Sequence, residues 1–328
     1  MADSEFALIR RYFARPAPDG VLGVGDDCAL LPPTAGHLAI STDLLIEGIH
    51  FFPDVDPVAL GHKALAVNLS DLAAMGATPR AFVLALALPK VDHVWLEGFS
   101  RGLLALADAH GCALIGGDTT RNPQGIAIDV TIFGEVPAQL ALRRDGAKVG
   151  DDIWVSGTLG DADVALRLLL ADGSVSDPNG SVLAATRTAL EWPQPQVALG
   201  LALRGVASAA LDISDGLAQD LGHILRASGV GAELRVADLP LSPTLAALPS
   251  ALARRSALTG GDVYQLCFCA PASARGELAA IAQRLALPLT RVGQIVAGSG
   301  LRVMDEHGQV LPPVAGGFDH FGSGQGGD

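Results

Sequence analysis

Aspartates beside glycine or a small hydroxyl residue recur in Gly25-Asp26-Asp27, Ser41-Thr42-Asp43, Asn68-Leu69-Ser70-Asp71, Gly116-Gly117-Asp118-Thr119-Thr120 and Asp212-Ile213-Ser214-Asp215-Gly216. Singly, each has an ordinary structural reading, because Asp and Ser side chains bond nearby backbone N–H groups in turns and at helix N-caps. Ser214 or Asp215 could cap a following helix, and Asp71 could be a solvated helix residue. Together they read as acidic turns at strand ends, separated by long apolar elements and able to converge at one edge of a sheet. Converging carboxylates repel unless a cation neutralises them, so the set implies metal. Oxygen ligands alone, carboxylate and hydroxyl, suit Mg²⁺ rather than zinc. Several Mg²⁺ ions at such a site could bridge to the phosphates of a nucleotide.

That bridging matters because the 328-residue chain carries a formal net charge of −13. So acidic a chain has no general attraction for nucleic acid or an anionic membrane. The familiar phosphate and hydrolase signatures GxxxxGK[ST], GxGxxG before a helix, GxSxG and HExxH are absent. Cys28, Cys112, Cys267 and Cys269 form no CxxC pair and no zinc spacing, and read as small thiols in a reducing compartment. Met1 to Phe13 lacks the apolar core of a signal peptide, and the apolar run Ala81 to Leu88 is too short to span a bilayer. The expected location is cytoplasmic.

The elements that must position these residues alternate between strand and helix signals. Leu38 to Leu45 reads as a strand, and Asp56-Pro57 opens a helix that runs through Lys63, Leu65, Asn68, Leu69 and Leu72 to a stop at Gly76. Ala81 to Leu88, Ala113 to Ile115 and Ile126 to Phe133 read as strands, with a helix from Asp92 to near Gly111. A charged, glycine-containing stretch from Arg143 to Asp152 suggests a domain boundary. Beyond it the expected strands are Ile153 to Ser156, Ala209 to Ile213, Tyr264 to Phe268 and Arg291 to Ile295. The expected helices cover Leu166 to Leu170, the face Leu217, Leu221, Ile224 and Leu225, and Arg275 to Leu285. Two α/β (α+β) domains fit this pattern, with a polar glycine-rich tail from Gly322 to Asp328 expected to be disordered.

The motifs also carry a resemblance. Gly25-Asp26-Asp27-Cys28-Ala29, Ser41-Thr42-Asp43 with Glu47-Gly48-Ile49-His50-Phe51, and the run from Lys63 to Ala77 are similar to thiamine-monophosphate kinases. So are Gly116 to Arg121, Ser156-Gly157 with Gly160-Asp161, Ser214-Asp215-Gly216-Leu217 with Asp220-Leu221, and Gly317-Phe318-Asp319-His320-Phe321. These motifs lie in order from residue 25 to residue 321. The long helix run is specific to that kinase, whereas the glycine-aspartate turns are shared with aminoimidazole ribonucleotide synthetase and selenophosphate synthetase.

The resemblance implies the two-domain aminoimidazole ribonucleotide synthetase-like architecture. An N-terminal ATP/Mg-binding and dimerisation domain would cover residues 1–140 and a C-terminal α/β domain residues 147–306. A C-terminal segment, 307–328, would carry a substrate-contacting Phe318. It implies a homodimer in which N-terminal sheets pair. It assigns Asp27, Ser41, Thr42, Asp43, Asp71, Asp118, Asp212 and Asp215 to a shell holding several Mg²⁺ ions. Gly117, Asp118, Arg144 and Ser214 are assigned to ATP, and His50, Asp262 and Phe318 to thiamine monophosphate. The implied reaction is direct, in-line, ATP-dependent phosphorylation of thiamine monophosphate, with no covalent or general-base residue. The alternatives are another ATP-dependent synthetase of the superfamily, or a non-catalytic nucleotide- or thiamine-binding homologue.

One stretch departs from the family pattern. Gly260-Gly261-Asp262-Val263-Tyr264-Gln265-Leu266 stands where the kinases read Gly-Gly-Glu-Asp-Tyr-Glu-Leu, so two negative charges are lost and a third carboxylate is shortened. The expected consequence is a weaker hold on thiamine monophosphate, unless Val263 and Gln265 face away and serve only packing.

Overall fold

A computed structural model describes residues 5–24 and 28–312. Asp27, Phe318 and the glycine-rich tail lie outside the described residues. The chain divides into two compact units, Met1–Leu72 with Ala77–Ala141, and Ala73–Gly76 with Leu142–Asp328.

The first unit runs α1 (Glu5–Tyr12), β1 (His37–Ile46), α2 (Pro57–Ala74), β2 (Thr78–Leu88), α3 (His93–Ala109), β3 (Ala113–Arg121) and β4 (Ala127–Val136). Its four strands lie in the order β1-β4-β2-β3, with only β2 and β3 parallel. The helix starts follow their capping chemistry: the Asp56 carboxylate accepts from the Val58 N–H at 2.9 Å, and Asp92 accepts from Val94 and Trp95, both at 3.1 Å. Helix α2 is buried on nearly every side, with Leu60, Leu65, Leu69 and Leu72 at most 1 % exposed. It reaches α3 across two glycines. A Cβ on Gly61 would meet the Phe99 carbonyl at 2.0 Å, and one on Gly102 the Val58 carbonyl at 1.9 Å.

Strand β1 has two faces of different chemistry. Ser41, Asp43 and Leu45 turn inward, while Leu38, Ile40, Leu44 and Ile46 on the alternate positions are exposed.

The second unit runs β5 (Asp152–Ser156), α4 (Asp161–Leu170), α5 (Ser181–Glu191), α6 (Val197–Ala202), β6 (Ala209–Asp212), α7 (Leu217–Ser228) and β7 (Gly231–Arg235). It continues through α8 (Pro243–Ala246), α9 (Ser250–Thr259), β8 (Leu266–Ala270), α10 (Arg275–Leu285), β9 (Leu289–Val296) and β10 (Gly300–Met304). Six strands lie in the order β10-β7-β9-β5-β8-β6, with β10 and β7 parallel and the other pairs antiparallel. Leu217, Leu221, Ile224 and Leu225 of α7 all enter one core with Ile153, Val155, Leu211 and Val292.

Asp152 pins the start of β5. Its fully buried carboxylate accepts from Arg275 at 2.6 and 2.9 Å and from Arg291 at 3.1 Å. The hydrogen bond from Arg275 is the main force holding this carboxyl below its usual range, against the opposing effect of burial. A depressed folded-state pKa stabilises above the unfolded value and is lost as pH falls through the folded one. Asp152→Asn is therefore expected to lower stability at pH 7 by about 1–3 kcal/mol. The gap from the unaltered chain should narrow below about pH 4, the ordinary carboxylate range. Urea unfolding at both pH values checks this, and an equal gap at both would contradict it.

Three of the supposed acidic turns are not turns. Ser41-Thr42-Asp43 lies inside β1, Asp71 on α2 and Asp118 inside β3, which continues past Ile115 to Arg121. The two glycines of Gly116-Gly117 read as a break, yet Gly117 stays in the strand because the neighbouring backbone lies against it. A Cβ there would meet the Leu84 carbonyl at 1.9 Å.

Candidate active site

In the first unit the strand–helix contact gathers Ser41, Asp43 and Asp71. The Ser41 hydroxyl donates to an Asp71 carboxylate oxygen. Burial, first, and then the charge of Asp71, a hydrogen bond with it and the charge of Asp129 push Asp43 up to about 7. Two carboxylates held this close are costly alone and suited to an oxygen-seeking cation. Thr42 faces the other way, its hydroxyl 3.2 Å from Asp129 and 2.9 Å from the Thr131 hydroxyl.

Strand register separates Asp118 from the pair. Asp43, Val130, Leu84 and Gly117 form one cross-strand row, while Leu44, Asp129, Ala85 and Asp118 form the next. Among the described residues, no three His, Cys, Asp or Glu side chains gather as a metal site. His50 follows β1 in a turn, where its Nδ1 accepts from the Ile46 N–H at 2.9 Å.

In the second unit β6 ends in Asp212, and Ser214-Asp215-Gly216 leads into α7. One carboxylate oxygen of Asp220 accepts from the N–H groups of Ser214, Asp215 and Gly216 at 3.1, 3.0 and 3.0 Å. Burial raises the Asp220 pKa to about 6 even so, with the Asp215 charge adding to it. These amides point inward at Asp220, so side chains are what the loop can offer a ligand. Arg144 is exposed. The His223 pKa is lowered by burial and by the charges of Arg226 and Arg144, and raised by Asp215, so Arg144 and Asp215 act on one imidazole.

Asp262 and Tyr264 hold left-handed backbone, with φ of 58° and 52°. Such conformations cost on the order of 1–3 kcal/mol each for residues other than glycine. They are held by the β6 loop: the Asp262 N–H donates to the Ser214 carbonyl and the Tyr264 N–H to the Ile213 carbonyl, both at 2.8 Å. The Tyr264 hydroxyl donates to the Asp262 carboxylate at 3.1 Å. Val263 packs against the core, and Gln265 accepts from the Ser156 hydroxyl at 2.7 Å.

Comparison with known proteins agrees with these two units. Residues 25–136 match the family AIR synthase related protein, N-terminal domain, and residues 148–306 its C-terminal counterpart. The chain is 47% identical over 327 residues to the thiamine-monophosphate kinase of Salmonella typhimurium strain LT2, covering 98% of this chain and 99% of that one. The chain belongs to the thiamine-monophosphate kinase family. The crystal structure of thiamine-monophosphate kinase from Stenotrophomonas maltophilia K279a superposes with a TM-score of 0.82 at 47% identity, covering 92% of this chain and 96% of that one. A second solved structure, AaThiL complexed with AMPPCP and TMP, is similar at a TM-score of 0.73 and 32% identity, with 87% of each chain covered.

Against the thiamine-monophosphate kinase pattern, the described site residues fall into two groups. Ser41, Asp43 and Asp71 meet in the first unit, with Thr42, Gly117 and Asp118 on the same sheet. In the second, Asp212 ends β6, Ser214 and Asp215 lie in the loop that follows, and the Asp262 N–H donates to the Ser214 carbonyl. Asp220 was legible only as part of a motif, and its spacing of four to six residues beyond the loop is the signal for its bracing role. Asp129 had no sequence signal beyond alternation in β4. The Cys112, Cys267 and Cys269 thiols are buried, which raises their pKa values and keeps them protonated. No described helix is long and apolar enough to cross a membrane.

Proposed function

We propose that this chain transfers the terminal phosphoryl group of ATP directly to thiamine monophosphate, forming thiamine diphosphate. The observation that carries the reading is the half-buried Asp43–Asp71 pair with its Ser41 hydroxyl, in a chain of this family. The donor set fits Mg²⁺: hard oxygens, and a charge repulsion that a cation would relieve. Asp43 and Asp71 would hold it, with Ser41 orienting Asp71; Asp27, Thr42, Asp118, Asp212 and Asp215 are proposed as ligands of further Mg²⁺ ions. Bound there, Mg²⁺ supplies charge neutralisation between donor and acceptor phosphates.

The acceptor is a phosphate monoester, whose second pKa of ~6 leaves it mostly dianionic at neutral pH. No side chain has to remove a proton to make the nucleophile. The protein's task is to align two anions in line and screen them. Gly117 gives backbone access at the strand, Arg144 offers a guanidinium fork for phosphate oxygens, and Ser214 a hydroxyl. His50, Asp262 and Phe318 are proposed for thiamine monophosphate. The proposed location is cytoplasmic.

The direct test is chromatographic measurement of thiamine diphosphate formed from ATP and thiamine monophosphate. Product should require Mg²⁺, vanish in EDTA and return when Mg²⁺ is restored. ATP binding by calorimetry should follow the same course; unchanged ATP binding in EDTA would contradict the metal site.

The working form is proposed to be a homodimer through the first unit. Ala81 to Leu88 and Ile126 to Phe133, the most apolar strand segments of this unit, form interior strands with paired edges. The exposed apolar surface is instead the outer face of β1, where Ile40 is 59% exposed and Leu38, Leu44 and Ile46 accompany it. Four large exposed apolar side chains on one strand mark an interaction surface. Sedimentation at micromolar concentration should show a dimer, and Ile40→Lys with Leu44→Lys should shift it to monomer. A monomeric unaltered chain would refute this.

A further inference from the structure

Asp71 stands near the end of α2, and the residues that stop this helix, Ala73–Gly76, group with the second unit. The last carbonyls of a helix have no partner within it, so something else must take them up. The Ala73 carbonyl accepts from the Gly76 N–H at 2.9 Å, where Gly76 turns the chain with a left-handed φ of 62°. The Met75 carbonyl accepts from the Leu142 N–H at 3.1 Å. The Gly76 carbonyl accepts from the Nε of Arg204, far along the chain, at 2.6 Å. Helix α6 presses on the same turn: a Cβ on Gly200 would meet the Ala73 carbonyl oxygen at 2.1 Å.

We propose that Arg204 and Gly200 are positioning residues for Asp71. By gripping the helix end just beyond it, they fix the rotation and height at which its carboxylate meets Ser41 and Asp43. The inference rests on the kinase reading above, which makes Asp71 a Mg²⁺ carboxylate. A helix stop alone would need only Gly76 and a donor, and water can serve as that donor. Here the donor is a guanidinium, and the wall behind the turn is backbone against backbone at Gly200, with no side chain between to give way. Leu199 and Leu203, on either side of Gly200, are buried, so α6 is itself held by packing. A Cβ on Gly76 would crowd the Gly200 carbonyl and Leu142, both at 3.2 Å, and the Arg204 stem at 3.3 Å. Such a fit matters to chemistry because a reacting group displaced by about 1 Å can lose on the order of 10²-fold in rate.

Calorimetric titration with Mg²⁺, in the presence of a non-hydrolysable ATP analogue, reads the site without turnover. Arg204→Met keeps the length of the side chain and loses the donor. It is expected to weaken Mg²⁺ binding about tenfold, the lower end of what loss of an outer support costs a metal site. The Mg²⁺ concentration for half-maximal thiamine diphosphate formation should rise by a similar factor, with KM for thiamine monophosphate at saturating Mg²⁺ within about twofold. Arg204→Lys, which retains a cation and a donor, should recover part of the loss, and Gly200→Ala should reproduce it from the other side of the turn. Asp152→Asn serves as the control for general loosening: it should lower the thermal midpoint and leave Mg²⁺ binding unchanged. Thermal unfolding verifies that each variant folds, and Arg204→Lys with Gly200→Ala carry the test if Arg204→Met does not. Mg²⁺ binding within twofold of the unaltered chain in these variants would overturn the proposal, as would equal weakening in Asp152→Asn or an unaltered chain that binds no Mg²⁺. An unaltered chain that shows this pattern of Mg²⁺ binding yet makes no thiamine diphosphate would sink the kinase reading and leave the positioning role standing.

Discussion

Asp71→Asn is expected to cut kcat by on the order of 10²- to 10³-fold while the folded protein becomes no less stable. Asparagine keeps the size of the side chain and an oxygen that can accept from Ser41, so local packing survives. What it removes is one of two carboxylates held together in a half-buried site. Its charge is among the forces pushing Asp43 up to about 7, so its loss relieves a repulsion that the fold otherwise bears. Function and stability should therefore move in different directions, as they do where a strained site serves activity. Asp43→Asn should behave alike. Paired measurements of kcat and thermal midpoint check the expectation; a kcat within tenfold of the unaltered chain would remove the pair from the mechanism.

Asp220→Ala is expected to destabilise the second unit and the reaction together. One oxygen of Asp220 satisfies three successive N–H groups at the entrance of α7. Each buried N–H left without a partner costs about 1–3 kcal/mol, and local relaxation recovers some of that. A loss of about 3–5 kcal/mol in unfolding free energy is expected, the range seen when a buried charged partner is removed. The Ser214-Asp215-Gly216 loop would then lose its fixed shape, and with it the placement of Asp215 and of the Asp262 backbone that leans on Ser214. Turnover should fall on the order of 10²-fold. Asp220→Asn, which retains one acceptor oxygen, should lie between. Chemical unfolding alongside steady-state kinetics provides the check, and full turnover in a folded Asp220→Ala would show that the loop holds its shape without this brace.

Local signals made much of the framework legible, because they depend on a few adjacent residues. Asp56-Pro57 and Asp92 mark helix starts that the structure shows with their capping bonds, and the helix expected at Arg275 to Leu285 has those limits. Short elements escaped notice. Strands β7 (Gly-Ala-Glu-Leu-Arg) and β10 (Gly-Leu-Arg-Val-Met) have five residues each and too little alternation to stand out, and their parallel pairing is a long-range property. The aspartates were recognisable as chemistry but were grouped as turns, although the strand read at Leu38 to Leu45 and the helix read through Leu72 already contained Asp43 and Asp71; only before Asp118 did paired glycines hide the strand itself. The expectation that all five segments converge required tertiary positions that composition does not encode; register puts Asp118 in the row beside Asp129. Val263 shows the same limit from another side. As a substitution within a family motif it read as a choice between site and packing, whereas in the fold it packs against the core while also bordering a cleft next to Asp262.

The alternation of β1 also binds together the heredity of two properties. Ser41 and Asp43 occupy one parity of the strand, and Leu38, Ile40, Leu44 and Ile46 the other. Point substitutions can drift on either parity with the other left intact. A single-codon insertion or deletion inside the strand would exchange the two sets wholesale, turning hydroxyl and carboxylate outward and isoleucine and leucine toward Asp71. Length variation among descendants of this gene should accordingly collect in the segments before His37 and after Ile46, with β1 itself evolving in a fixed reading of ten residues.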